Sequence, residues 1–180
     1  MNLEKNKINQ IFLIGQSGSG KTTIGKKLSK NLSFSYVDTD EYIENKLKLT
    51  ISEIFQTKGE AFFRSNEKDL VKELSLSTKI VISTGGGLPE NEETFDLMKK
   101  NGFIIWIKSS PKEIEKRLID SNKNHRPLLF NNNLNLIDNL ESQLKKRYDV
   151  YSRADLIINN DNIDENETTK LIEKELINYG

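Results

Sequence analysis

A three-layer α/β/α sandwich built on a five-stranded parallel sheet is the fold this sequence predicts, on three observations. Five short apolar runs, at 8–14, 34–37, 79–83, 103–107 and 154–158, alternate with stretches of helical spacing, the order that gives a parallel sheet covered by helices. The first run, Ile8 to Ile14, is continuous enough to be a central strand buried on both faces. That run leads into Gly15-Gln16-Ser17-Gly18-Ser19-Gly20-Lys21-Thr22, whose spacing G-x-x-x-x-G-K-[ST] belongs between a strand and a helix.

Taken in order, the first helix spans 22–31, with Ile24 and Leu28 one turn apart on its inner face. The second strand ends in Asp38-Thr39-Asp40. Helical patterns follow at 41–47 and 51–57, the latter with Ser52 as its helix-start residue, and then at 59–76. The third strand runs straight into Thr84-Gly85-Gly86-Gly87-Leu88-Pro89. Pro89 with the acidic cluster Glu90, Glu92 and Glu93 starts a helix that ends near Asn101-Gly102. Pro111 opens another, through Ile114, Leu118 and Ile119. Between Asp120 and Asn135 the pattern fails. This polar, Asn-rich stretch holds Arg126-Pro127-Leu128-Leu129 and reads as a mobile lid or a disordered insert. Helical spacing returns at 136–151 and again at 163–179. The expectation is one domain over 1–180 with a lid at about 120–135.

Composition narrows the chemistry. Lys and Arg number 27, and Asp and Glu also 27, so no basic surface speaks for nucleic acid or an anionic membrane. Cysteine is absent, which removes disulfides, thiolate zinc sites and a Cys nucleophile together. The one histidine, His125, reads as an exposed lid residue. No apolar run approaches a membrane span and the first residues lack an apolar signal core, so a soluble cytoplasmic chain is expected.

The loop after the first strand predicts a nucleotide. Its glycines let backbone N–H groups approach phosphate oxygens, and the following helix points its positive end at the same anion. Lys21 adds a point charge for the β- and γ-phosphates, and the Thr22 hydroxyl is placed to ligate Mg²⁺. A chance match arises in about 1% of chains of this length at average residue usage. Asp38 and Asp40, two apart at the end of the second strand, fall on one face by strand period, pointing toward the phosphate loop if the first two strands are neighbours. One carboxylate then suits Mg²⁺ and the other a substrate hydroxyl; a helix N-cap is the alternative and explains only one of them. Gly85, Gly86 and Gly87 favour close backbone approach to a ligand over a merely flexible connection. Only five arginines occur in this lysine-rich chain. The planar fork of Arg64, Arg126 and Arg147 suits a carboxylate or phosphate, with exposed salt bridges as the alternative. Arg153 and Arg117 fit the salt-bridge reading better. Glu67, three residues past Arg64, either braces that guanidinium or is a solvated helix-face carboxylate.

With these residues in view, the chain resembles the shikimate kinases. The resemblance rests on Gly15 through Gly25, Asp38-Thr39-Asp40, Gly59-Glu60-Ala61-Phe62-Phe63-Arg64, Ser83-Thr84-Gly85-Gly86-Gly87, Arg126-Pro127-Leu128-Leu129 and Arg147 through Tyr151. It implies a P-loop kinase fold and transfer of the ATP γ-phosphate to the 3-hydroxyl of shikimate, in aromatic amino-acid biosynthesis. It implies that Gly15, Gly18, Ser19, Gly20, Lys21, Thr22 and Thr23 cradle the phosphates, and that Arg117 lies against adenine. Arg64 and Arg147 would grip the substrate carboxylate. Asp40, with Gly85, Gly86 and Gly87, would anchor the ring hydroxyls. Thr22 and Asp38 would hold Mg²⁺, and Arg126 would come down with the lid onto the transferring phosphate. Lys21, Asp40 and Arg126 are then the catalytic group, the small molecule is the partner, and a monomer is expected. The rivals are another small-molecule P-loop kinase, for gluconate or a nucleoside monophosphate, and a nucleotide-binding switch without transfer. The guanine-reading Asn-Lys-x-Asp and the protein-kinase signatures are absent.

Overall fold

The computed structural model describes residues 8–120 and 135–179. Five strands, β1 (Gln10–Ile14), β2 (Ser35–Asp38), β3 (Ile80–Ser83), β4 (Phe103–Lys108) and β5 (Leu156–Asn159), form one sheet in the order β2-β3-β1-β4-β5. Every neighbouring pair is parallel. The described helices are α1 (Lys21–Leu32), α2 (Thr39–Leu47), α3 (Ile51–Lys58), α4 (Glu60–Leu74), α5 (Glu92–Asn101), α6 (Pro111–Asp120), α7 (Leu136–Tyr151) and α8 (Glu165–Asn178).

Strand period explains the layers. In β1, Ile11 and Leu13 pack with Ile24 and Leu28 of α1 and Ile172 and Leu176 of α8. Phe12 and Ile14 face the other way, toward Ile43, Ile54, Phe63, Leu70, Phe95 and Tyr151 on α2, α3, α4, α5 and α7. The same alternation separates Ile105 and Ile107 from Ile104 and Trp106 in β4. Both faces are covered, so the inner strands β1, β3 and β4 carry apolar side chains at consecutive positions, each worth about 1.5–3 kcal/mol on burial.

The strand order also fixes where a ligand can sit. β1 leads through α1 to β2, beyond β3, whereas β3 leads through α5 to β4, on the far side of β1. The chain therefore leaves the carboxyl ends of these two adjacent strands in opposite directions. That is the topological switch point where open α/β sheets bind ligands. The phosphate loop follows β1 and the triple glycine follows β3, so both open onto one crevice.

Several boundaries shift for local reasons. α3 starts at Ile51 as expected, but its cap is Thr50 and not Ser52: Thr50 Oγ1 accepts from Glu53 N (3.2 Å) while the Glu53 carboxylate accepts from Thr50 N (2.7 Å), a complete capping box. α5 starts after Asn91, whose side chain accepts from Thr94 N, so Leu88–Glu90 form a separate single turn. β5 starts two residues late. Asp155 closes the sheet edge with its side chain instead, accepting from Ile104 N at 2.9 Å. No helix among the described residues is long and apolar enough to cross a membrane.

Candidate active site

The phosphate loop is closed on itself and left open toward an anion. Gly15 (φ 141°) and Gly20 (φ 97°) hold backbone conformations that L side chains rarely adopt, and a Cβ at Gly15 would lie 2.5 Å from the Ile107 carbonyl. Gly20 is the N-cap of α1 and no side chain caps that end, so the positive end of the helix faces the loop, the setting that favours an anion. Lys21 is buried, and its Nζ donates to the carbonyls of Gly15 (2.7 Å) and Gln16 (2.8 Å). Gln16 Nε2 in turn donates to Leu140 O at 2.8 Å, tying the loop to α7. On the other side, Asn160 Nδ2 and Arg117 Nη1 both donate to Ser19 O, at 2.8 and 3.3 Å. Arg117 is oriented by Glu113, which accepts from its Nε at 3.0 Å. Arg117, Asn160 and Glu113 border a cavity of about 780 Å³ that Gly18, Gly20, Lys21, Thr22 and Thr23 also line. Its size is within the range of small-molecule and cofactor sites.

Asp38 and Asp40 do not share a strand face. The strand stops at Asp38, Asp40 is the second residue of α2, and β2 pairs with β3 rather than β1. Asp38 is the cap of α2, and its second oxygen meets Thr22. Its Oδ1 accepts from Asp40 N (3.1 Å) and Glu41 N (3.4 Å) as a helix cap, while its Oδ2 accepts from Thr22 Oγ1 at 2.8 Å. The two meet because the first turn of α1 lies over β3, where Ser83 Oγ donates to Lys21 O at 3.0 Å. Tyr36 reaches the same oxygen at 3.4 Å, and burial raises its phenol well above the usual range. A hydroxyl and one carboxylate are the sparse protein ligand set that a phosphate-bound Mg²⁺ uses. Among the described residues no group of three or more His, Cys, Asp and Glu is clustered for a metal.

The triple glycine gathers the rest, each residue against a different partner. A Cβ at Gly85 would lie 2.5 Å from Asp40 Oδ1 and 2.9 Å from Glu67 Oε1. At Gly86 it would meet Arg147 Nη1, Gly15 O and Ser17 N, all at 3.4 Å. At Gly87 it would meet Arg64 Nη2 at 2.6 Å. Three consecutive backbone positions thus bring Asp40, Arg147 and Arg64 together beside the phosphate loop. The approach is tightest at Gly85 and Gly87, where a side chain would displace Asp40 or Arg64, and looser at Gly86. Gly85 N is fixed by donating to Thr39 Oγ1 (2.9 Å), and Gly86 O by accepting from Tyr151 Oη (2.6 Å).

Both arginines are held by carboxylates. Arg64 donates from Nη1 to Glu67 (2.7 Å) and from Nη2 to Glu60 (2.9 Å). Arg147 donates from Nε to Glu90 (2.7 Å) and from Nη1 to Gln143 (3.1 Å). Glu67 is 2% exposed, so the brace reading holds over the solvated one. Its burial pushes the carboxyl up from 4.5 to about 7, outweighing Arg64, and the Asp40 carboxylate adds to the rise. For Glu90 the balance is reversed: burial raises its pKa, but Lys146 and Arg147 together hold it below the usual carboxylate range.

The raised Glu67 carboxyl sets a pH dependence. Its protonated form is the one the fold favours, so this contribution to stability is full below pH 4.5 and is lost as pH rises through about 7. Glu67→Gln, which is neutral throughout, is expected to flatten the fall in unfolding free energy between those two values. Denaturant titrations of both proteins across that window check it; parallel curves would rule the assignment out.

Arg153 makes the exposed salt bridges expected of it, to Glu92 (2.8 Å) and Asp96 (3.6 Å). Arg126, His125 and the expected lid lie outside the described residues, apart from the segment's flanks. Sequence reasoning assigns no site role to Glu90, Gln143, Tyr151 or Gln16. Glu90 was hidden by its neighbours, since it reads as one of three acidic residues opening a helix. In the structure it belongs to the preceding turn and faces α7.

The family model described as shikimate kinase matches residues 17–177. A shikimate kinase of Clostridium botulinum (strain 657 / Type Ba4) is 39% identical over 159 residues, 88% of this chain and 92% of that protein. A solved shikimate kinase from Acinetobacter baumannii, in complex with shikimate, matches with a TM-score of 0.88 at 28% identity, over 97% of this chain and 96% of its own. One from Bacteroides thetaiotaomicron matches with a TM-score of 0.87 at 31% identity, over 94% and 98%. With its phosphate loop, its triple glycine and its two braced arginines at one crevice, the chain belongs to the shikimate kinase family.

Proposed function

We propose that this protein transfers the γ-phosphoryl group of ATP to the 3-hydroxyl of shikimate, giving ADP and shikimate 3-phosphate for chorismate and aromatic amino-acid biosynthesis. The observation that carries the proposal is the triple-glycine turn, which sets two guanidinium groups and Asp40 against three consecutive residues beside the phosphate loop. Arg64 and Arg147 grip the substrate carboxylate, and planar forks give that contact its geometry. Asp40, beside Gly85, accepts the hydrogen bond of the reacting hydroxyl and turns its oxygen toward the phosphate loop. A loose phosphoryl-transfer transition state needs little more than this positioning and charge neutralisation, so a weak base suffices. The open end of α1, Gly15, Gly18, Ser19, Gly20, Thr23 and Lys21 hold the phosphates, with Arg117 on the adenine side. Thr22 and Asp38 would hold Mg²⁺, which neutralises phosphate charge when bound. In this reading Arg126, matched by the resemblance alone, adds a cation at the transferring group.

The test is coupled ADP release with Mg-ATP and a set of acceptors. Shikimate is expected to give an acceptor-dependent rate at least tenfold above gluconate and nucleoside monophosphates. A preference for gluconate would move the chain to a sugar-acid kinase. A rate indifferent to every acceptor would make it a nucleotide switch.

A further inference from the structure

Arg147 is not held by the elements that hold Arg64. Its own helix, α7, supplies Gln143 one turn earlier, whereas its Nε is taken by Glu90, on the short turn that follows the triple glycine. Glu90 is shared. Its Oε1 accepts from Arg147 at 2.7 Å and its Oε2 pairs with Lys146 Nζ at 2.9 Å. The Arg147 side chain is 14% exposed and that of Glu90 23%, but that of Lys146 is 73% exposed. The inner contact is therefore the shielded one, and the outer lysine offsets the carboxylate's charge. Beside the Nη1 end of the guanidinium stands Gly86, whose carbonyl accepts from Tyr151 one turn further along α7.

We infer that Glu90 is a positioning residue for the substrate: it pins Arg147 against Gly86 in the orientation that receives the acceptor's carboxylate. This rests on the reading of Arg147 given above. An arginine offers five N–H donors in one plane, and Glu90 fixes that plane by occupying Nε, at one edge, so the terminal nitrogens present a defined fork. Without Glu90, α7 still places the Arg147 backbone, but the side chain must be ordered anew each time substrate binds. Glu90 thus does for Arg147 what Glu67 does for Arg64, from the exit of the glycine turn rather than from a helix. The opposing effect is charge, since a carboxylate near the substrate carboxylate repels it. Arg147 on one oxygen and Lys146 on the other both oppose that repulsion, so positioning is expected to prevail.

Steady-state kinetics of Glu90→Ala, Glu90→Gln, Arg147→Ala and the double variant Glu90→Ala/Arg147→Ala test the inference. Glu90→Ala is expected to raise the shikimate KM about three- to tenfold, the size of ordering one long side chain, with the ATP KM and kcat within about twofold. Glu90→Gln, which keeps an acceptor for Nε, should stay within about twofold of the parent. In the Arg147→Ala background, removing Glu90 should change the shikimate KM no further, because its effect passes through that guanidinium. An unchanged or lowered KM in Glu90→Ala would overturn the inference, the latter showing that Glu90 competes with substrate. Equal further loss in the double variant would also overturn it, assigning Glu90 a merely structural part. If Arg147→Ala itself leaves the shikimate KM unchanged, the reading of Arg147 fails and the inference falls with it.

Discussion

Replacing Lys21 with alanine is expected to lower turnover by about 10³-fold while the protein stays folded. The size follows from the loss of one preorganised cation at a transferring phosphoryl group. Removing a single such group typically costs 10²- to 10³-fold, and an arginine brought to the same charge is worth more. The fold should survive because the structural role of Lys21 is small by comparison. Its Nζ bonds the Gly15 and Gln16 carbonyls. Two backbone acceptors left without that donor cost a few kcal/mol at most, against roughly 5–15 kcal/mol for a typical domain. The loop keeps its other anchors, Gln16 on Leu140 O and Asn160 on Ser19 O. Turnover at saturating shikimate and thermal melting of the same preparation check the two halves separately. A residual rate within tenfold of the parent would remove Lys21 from the catalytic group, and a large fall in melting temperature would show that its loop contacts dominate.

How far the sequence reads through to this site depends on the range of each determinant. Strand and helix identity is local. Short apolar runs alternating with helical spacing place all five strands, and even the short α3 is legible, with only its cap moved from Ser52 to Thr50. The phosphate loop is local too, because its glycines, Lys21 and Thr22 work through one loop and one helix end. Asp38 and Asp40 show where local period misleads. The strand ends at Asp38 because its own carboxylate caps α2, so the alternation that would pair the two aspartates stops there. They nevertheless reach the same crevice, through a strand order that no spacing reveals. Glu90 lies further out of reach. Its partners, Arg147 and Lys146, are more than fifty residues away, and nothing in the acidic run around it distinguishes the one carboxylate that turns inward.

Arg64→Ala carries the other large effect, expected on substrate affinity rather than on turnover of bound substrate. Truncating one partner of a shielded charge pair costs about 2–5 kcal/mol, and 1.4 kcal/mol is tenfold in affinity. Arg147 remains to hold the carboxylate, so the rise in shikimate KM should be on the order of 10²-fold rather than at the upper end. The ATP KM should stay within about twofold, because Arg64 meets Gly87 and the carboxylates of Glu60 and Glu67 and makes no bond to the phosphate loop among the described contacts. Glu67 responds as well. Arg64 is the group that lowers its carboxyl against burial, so in the variant burial and Asp40 act unopposed by it and Glu67 stays protonated to higher pH. Arg64→Lys should recover only part of the loss, since a point charge restores the sign but not the planar fork that two carboxylates and the substrate share. Initial rates over a shikimate-by-ATP grid separate these outcomes. Equal loss of both affinities would mean that Arg64 supports the fold of the site instead of meeting the substrate.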